Sequence, residues 1–123
     1  MALANDLAGV GMPVEQALRV GFNPATIAGV GTAQSGGAAI PAEVNWVNAT
    51  TDAGQTAFVL PSDAELYSTY VVANTSSTTA LVFPNSGAKI NNGSDDASVS
   101  ITVNLARIFI KRSATRWVSF VAA

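Results

Sequence analysis

Residues 70–120 read YVVANTSSTTALVFPNSGAKINNGSDDASVSITVNLARIFIKRSATRWVSF, and this stretch determines the fold class. Short apolar runs alternate with polar residues and are separated by clusters of Asn, Ser, Gly and Asp. This pattern is typical of short β-strands joined by turns. In Ser98–Leu105 the apolar residues occupy every second position, which predicts a strand with one buried face in an antiparallel sheet.

The same reasoning extends over residues 42–122 and predicts about eight short strands, a number typical of a sandwich or a barrel. The predicted strands are 42–48, 56–61, one centred on 70–73, 80–84, 88–90, 98–105, 106–112 and 116–122. We therefore expect a mainly β protein, an antiparallel β-sandwich or barrel. We expect its core to contain Val99, Ile101, Val103, Ile108, Ile110 and Trp117, and we also expect Trp46 to be packed inside rather than exposed as a carbohydrate platform.

The first 40 residues differ from the rest. Seven of the ten glycines lie at or before Gly37, and eight of the nine aromatic residues lie at or after Trp46. We expect an N-terminal arm over residues 1–40 and a β domain over 41–123. Residues 12–19 are expected to form one short helix, since Pro13 suits its first turn and Gly21 its C-terminal cap. Residues 27–41 have no helical or strand period and resemble a flexible linker.

Apolar residues are unusually frequent in this arm for a solvated linker, and they favour an arm that binds a partner. Val14, Leu18 and Phe22 recur every four residues, and Leu7 and Val10 precede them. We take these five as candidate partner-binding residues. We expect residues 1–37 to lie against a neighbouring chain, because a Gly-rich segment buries too little surface of its own to offset its ordering entropy.

Charge is scarce and segregated. Charged residues make up 11% of the chain, whereas ordinary soluble domains have about 25%. Residues 1–66 carry a net charge of −5 and residues 67–123 a net charge of +3. The shortage of charge favours a surface that meets protein, and the two poles suit steering between subunits or neutralisation within one domain. The basic residues Arg107, Lys111, Arg112 and Arg116 are candidates for a partner-facing patch; a nucleic-acid patch and a solvated hairpin are the alternatives.

Nothing in the chain predicts a catalytic, cofactor or metal site. The chain has no Cys and no His, which removes thiolate ligands and the commonest metal ligand. The carboxylate pairs Asp63/Glu65 and Asp95/Asp96 leave two alternatives open, a calcium loop at 91–96 and an enzyme that uses two of these four acids. No stretch is long and apolar enough for a membrane span, and no secretory signal is visible, so we expect no membrane partner.

Two motifs in the β region resemble a domain of tailed-bacteriophage virion proteins. They are VFPxxGxxIN at Val82–Asn91 and SATxW at Ser113–Trp117, and GVGMP at Gly9–Pro13 is also similar. The resemblance implies a head decoration (cement) protein on the capsid surface of the virion. Its partners would be the major capsid protein and copies of itself, for which we expect a trimer; no nucleic acid, membrane, small-molecule substrate or cofactor is implied. The alternative is a phage fibre or tail module that binds carbohydrate or a receptor.

Overall fold

The computed structural model describes residues 24–47 and 54–122 of the chain. This part is all-β, and it contains ten strands and no helix. The strands are β1 (Ala25–Ile27), β2 (Ala38–Ala39), β3 (Val44–Val47), β4 (Ala57–Val59), β5 (Thr69–Asn74), β6 (Ala80–Phe83), β7 (Lys89–Ile90), β8 (Val99–Ile101), β9 (Ala106–Ser113) and β10 (Arg116–Ala122).

The first six strands alternate between two sheets, as in a β-solenoid. β1, β3 and β5 lie side by side in one sheet, and β2, β4 and β6 lie side by side in the other; all of these neighbours are parallel. Ala25 pairs with Asn45, and Val44 pairs with Val71 in the next coil. Each coil of the chain therefore stacks on the one before it.

The last four strands complete the two sheets. β9 pairs antiparallel with β5, β10 pairs antiparallel with β9, and β7 lies parallel to β10 at the edge. β8 pairs antiparallel with β6. The result is a six-stranded sheet in the order β1-β3-β5-β9-β10-β7 and a four-stranded sheet in the order β2-β4-β6-β8.

The predicted antiparallel sandwich or barrel is wrong, because five of the eight strand pairings are parallel. All eight strands predicted in residues 42–122 are present at shifted bounds. Alternation identifies a strand with one buried face, but it does not identify the partner strand or its direction. The short helix predicted over residues 12–19 lies outside the described residues.

Residues 24–40 are not a linker. β1 and β2 lie within them, the amide of Val30 donates to the carbonyl of Ala57, and Ile27 packs against the core. A Cβ atom at Gly29 would overlap the backbone carbonyl oxygen of Gln55, so this glycine lets two coils approach closely. The expectation that residues 24–37 lie against a neighbouring chain, outside this domain's own core, is wrong.

The core lies between the two sheets. Its fully buried members include Val47, Phe58, Leu60, Val72, Val82, Ile101, Phe109 and Trp117. Ile101 and Trp117 were predicted there correctly, and Val99 packs against them. Val103, Ile108 and Ile110 are only partly buried and do not belong to the core. Ile108 and Ile110 alternate with Phe109 and Lys111 of β9, which point inward instead, and Val103 lies in the turn after β8 ends at Ile101.

Buried amides stabilise the turns between coils. Asn74 is 1% exposed; its Nδ2 donates to the carbonyls of Thr78 and Ile101 at 2.8 Å each, and its Oδ1 accepts from the amide and the hydroxyl of Ser76 at 3.1 and 2.7 Å. Asn45 is buried in the same way and donates to the carbonyls of Ala42 and Val71. These side chains satisfy backbone groups that the sheet ladders do not reach. No helix that could span a bilayer occurs in the described part of the chain.

Candidate interaction surfaces

Lys111 of β9 is buried, and it holds a loop of its own chain. It is 6% exposed, and its Nζ donates to the carbonyls of Ser62 and Ala64 at 3.1 and 2.7 Å. The ammonium also lies 6.0 Å from the ring centroid of Trp117. Carbonyl dipoles and an aromatic face compensate the cost of burying this charge. Lys111 is thus a clamp on residues 61–68 and does not face a partner.

The predicted basic patch is divided between the two faces of the six-stranded sheet. Arg107 shares the inner face with Lys111, and its Nε donates to the hydroxyl of Ser119 at 2.9 Å. Arg112 and Arg116 lie at the hairpin end of β9 and β10, where the register shifts between Arg116 and Trp117. Arg112 is exposed, Arg107 and Arg116 are half-buried, and Lys111 is the one of the four that is buried.

The loop that Lys111 holds displays two large apolar side chains, Leu66 at 55% exposure and Tyr67 at 72%. Backbone hydrogen bonds fix the loop at this point. The amide of Tyr67 donates to the carbonyl of Lys111 at 2.6 Å, and the amide of Lys111 donates to the carbonyl of Ser68 at 3.0 Å. Tyr67 has a φ of +66°, a left-handed conformation that is unusual for an aromatic residue. Such strain costs about 1–3 kcal/mol and persists only where the surroundings impose it.

Tyr70 follows this loop and lies inside the fold. Its ring packs on Trp117 with centroids 5.9 Å apart. Burial raises the pKa of the Tyr70 hydroxyl, and the nearby carboxylates of Asp63 and Glu43 raise it further. The phenol is therefore neutral over the whole range near neutrality and acts as a packing group.

The outer face of the six-stranded sheet is a second apolar surface. Strand register and alternation place Trp46, Val71, Ile108, Val118 and Phe120 on this face. Trp46 is 45% exposed and Phe120 49%. The prediction that Trp46 lies in the core is therefore wrong; Trp46 points away from the second sheet.

The loop at residues 91–96 uses its carboxylates internally. Asp96 accepts from the amide of Gly87 at 2.7 Å and from Nε2 of Gln34 at 3.0 Å, and both bonds lower the pKa of Asp96. Asp95 lies 3.7 Å from Nζ of Lys89. Within residues 24–47 and 54–122, no group of three or more acidic side chains converges as a metal site would need.

A shallow groove of about 560 Å³ runs along the four-stranded sheet. Val59 lies among its apolar residues, and its polar side chains come from Gln34, Ser62, Asp63, Asn85 and Ser86. Of the four carboxylates considered for catalysis, Asp63 is the one that lines this groove. The pair of acids that the enzyme alternative requires is therefore not assembled there.

The candidates Leu7, Val10, Val14, Leu18 and Phe22 lie outside the described residues. Comparison with known proteins assigns no family, since neither a protein-family model nor a curated protein matches the chain.

Sequence reasoning missed the two apolar surfaces themselves. The signal for the outer face was present in Ile108–Ile110, where three consecutive apolar residues predict a strand that is covered on both sides. The signal for Leu66 and Tyr67 was weaker. It consisted of two large apolar residues beside a stretch that was predicted to be a loop because of Ser62, Asp63 and Glu65.

Proposed function

We propose that the chain is a structural subunit of a virion, and that it decorates the capsid of a tailed bacteriophage. In this role it binds the major capsid protein on the outer surface of the head and stabilises the shell. A protein that binds only the expanded shell stabilises that state by mass action. The proposal needs a rigid protein with a fixed apolar contact point.

The displayed loop at residues 61–68 is the observation that carries this proposal. Tyr67 has a strained backbone and a highly exposed side chain. Two backbone hydrogen bonds fix its position, one from the amide of Tyr67 to the carbonyl of Lys111 and one from the amide of Lys111 to the carbonyl of Ser68. Tyr is among the residues that contribute most binding energy in protein interfaces. A loop that is already ordered loses little conformational entropy when it binds, so more of its contact energy becomes affinity.

The resemblance to phage virion proteins indicates which assembly the chain would join. Its two most specific motifs meet in space, since Ile90 pairs with Trp117 and the amide of Asn91 donates to the carbonyl of Trp117 at 2.8 Å. Gly87, in the first motif, has a φ of +82°, which a glycine adopts without strain. The motif residues therefore have a shared structural reason to occur together, which supports reading them as one domain signature.

The test is co-sedimentation of the purified full chain with expanded shells assembled from the cognate major capsid protein. Tyr67→Asn is the informative variant, because Asn tolerates the left-handed conformation better than Tyr and should leave the fold as stable as before, or more so. We expect its affinity to fall by about 30-fold, the factor for a hot-spot loss of about 2 kcal/mol. Val30→Ser removes a side chain of 50% exposure from another loop and serves as the matched control.

Two results would contradict the proposal. One is a wild-type chain that does not sediment with the shells above an unrelated protein of the same size. The other is a Tyr67→Asn variant that binds as tightly as Val30→Ser and the wild type. Equal unfolding midpoints for the three proteins would exclude misfolding as the cause of any loss.

A fibre or tail module that binds carbohydrate is the second candidate, and the groove on the four-stranded sheet favours it. Its volume falls within the range of about 300–1,000 Å³ found for small-ligand sites, and amide, hydroxyl and carboxylate groups line it. A glycan array would distinguish the two functions. Saccharide binding that Asp63→Asn abolishes and Tyr67→Asn leaves unchanged would favour this candidate over capsid decoration.

A further inference from the structure

The outer face of the six-stranded sheet lacks the second layer that such a face requires. Its side chains form adjoining rows: Trp46 beside Ala73 and Ala106, then Val44 beside Val71, Ile108 and Phe120, then Thr69 beside Ile110 and Val118. The inner face of the same strands is already covered by the four-stranded sheet. A sheet that is apolar on both faces belongs in the middle of a three-layer arrangement.

The size of this face fits a single segment better than a second copy of the domain. Four strands at about 4.8 Å spacing and four residues at about 3.3 Å rise define a patch of about 15 by 13 Å between backbone atoms. With its side chains the patch measures roughly 300 Å². A standard interface buries about 800 Å² on each partner, so this face alone is too small for a stable dimer.

The chain contains a segment suited to this face, and it is attached at the right place. Residues 1–23 lead directly through Pro24 into β1, which is the edge strand of the same sheet. Apolar residues recur in them every three or four positions, at Leu3, Leu7, Val10, Val14, Leu18 and Phe22. As a helix, 22 residues would measure about 33 Å, more than the width of the patch.

Charge and tethering also favour this occupant. The chain enters β1 at the end of the sheet where β3 and β5 begin, and the β9–β10 hairpin with Arg112 and Arg116 lies at that same end. The segment carries the acids Asp6 and Glu15 and the base Arg19, so its side chains have a net charge of −1, opposite in sign to this basic end. A short tether gives a segment an effective concentration near its own domain in the millimolar range, far above that of a separate molecule.

We infer that residues 1–22 pack across the outer face of the six-stranded sheet of their own chain, as the third layer of the fold. Val14, Leu18 and Phe22 then cover the rows around Trp46, Ile108 and Phe120. This assignment differs from the arm on a neighbouring chain that composition alone predicted, and it leaves the loop with Tyr67 free for a partner.

Cysteine trapping in the full chain tests the inference, because the natural chain has no Cys. The variant Leu18→Cys/Ile108→Cys is treated with a short bis-maleimide at micromolar protein concentration, and the products are separated on a denaturing gel. We expect a cross-link within one chain, seen as a monomer of altered mobility. The pair Leu18→Cys/Ser100→Cys is the control, since Ser100 is exposed on β8 of the other sheet.

A second readout follows Trp46 in a Trp117→Phe background, where it is the one remaining Trp. We expect its emission to be protected from acrylamide and to become accessible in Val14→Ser. Val20→Ser is the matched control: the same chemical change at a position two residues from Leu18, off the apolar stripe. It should leave the protection intact.

The outcomes separate cleanly. A cross-link within one chain together with a protected Trp46 supports the inference. Cross-linked dimers would overturn it and assign the face to the arm of a neighbouring copy. A cross-link no stronger than in the Ser100 control, with Trp46 freely quenched, would also overturn it. None of these results depends on capsid binding, so failure here leaves the proposed function to its own test.

Discussion

Replacing Asn74 with Ala should cost about 4 kcal/mol of the free energy of unfolding. The substitution removes four side-chain hydrogen bonds of 2.7–3.1 Å, each worth about 1 kcal/mol. It also leaves the carbonyl of Ile101 without this partner in a buried site. Since domains are stable by about 5–15 kcal/mol in total, the variant should be near the limit of folding.

The assay is urea unfolding at neutral pH, monitored by far-ultraviolet circular dichroism. Wild type and variant are compared with the same m value, the slope of the unfolding free energy against urea concentration. Asn92→Ala is the matched control, because Asn92 is exposed in the loop after β7 and its loss should change stability by less than about 0.5 kcal/mol. Ser76→Ala completes a double-mutant cycle. Since Ser76 shares its bonds with Asn74, the double variant should lose about 1–2 kcal/mol less than the two single losses combined.

A loss below about 1 kcal/mol for Asn74→Ala would refute the reasoning, because it would place these four bonds below the ordinary value for even one or two. Strict additivity of Asn74→Ala and Ser76→Ala would also contradict it. The small loss would mean that the turn between β5 and β6 is held by its backbone alone, and additivity would mean that Asn74 and Ser76 act independently.

Three further predictions concern the core, the clamp and pH. Trp117→Ala should cost about 3–5 kcal/mol by urea unfolding, and in a Trp46→Phe background the emission of Trp117 should be blue-shifted and resist acrylamide; ready quenching would contradict its burial. Lys111→Met should keep the sheets, by circular dichroism, but raise the hydrogen-exchange rate of residues 61–68, because two charge-assisted bonds to that loop are lost; unchanged exchange would argue against a clamp. The lowered pKa of Asp96 supports stability that is lost only as pH falls below about 4, and the raised pKa of Tyr70 supports stability that is lost only as pH rises above about 10. With no His in the chain, the urea midpoint should therefore stay constant between pH 6 and 8, and a cooperative change in that window would reveal another shifted group.

Local patterns were sufficient to place the eight strands within residues 42–122, because alternation and turn residues act over a few positions, but they missed β1 and β2. Asn85-Ser86-Gly87 was assigned as a tight turn, and Gly87 indeed has a positive φ there. The order of the strands was not accessible in this way. Parallel coils of 20 and 27 residues, measured from Ala25 to Asn45 and from Val44 to Val71, leave no repeat in the sequence, since each coil closes with a loop of its own length.

Glycine content was misleading for a definite reason. A Gly-rich stretch suggests flexibility because glycine has the greatest backbone freedom. Gly29 is instead required by contact, since the backbone of Gln55 occupies the space of a side chain there. The neighbouring coil that creates this contact lies more than 20 residues away in sequence, so no local pattern could reveal it.

The exposed position of Tyr67 could not be inferred from local sequence. Tyr67 is displayed because Lys111, 44 positions later, holds its loop from inside the fold. The basic residue was expected to face a partner, whereas it is buried and positions the exposed Tyr67. The role of a charged side chain in a strand can therefore be assigned only when the face of the sheet on which it lies is known.

Two unusual properties of the sequence have one explanation if the N-terminal segment forms a third layer. Apolar residues on both sides of β9 require a covered outer face, and a first segment with regularly spaced Leu and Val requires an apolar surface to lie on. Each property alone suggests an external partner. The segment is long enough to cross the outer face, it joins the sheet at the edge strand β1, and its net charge is opposite to that of the basic end of the sheet. The chain can therefore cover this face with its own first segment. The loop that carries Leu66 and Tyr67 would then still display its two large apolar side chains.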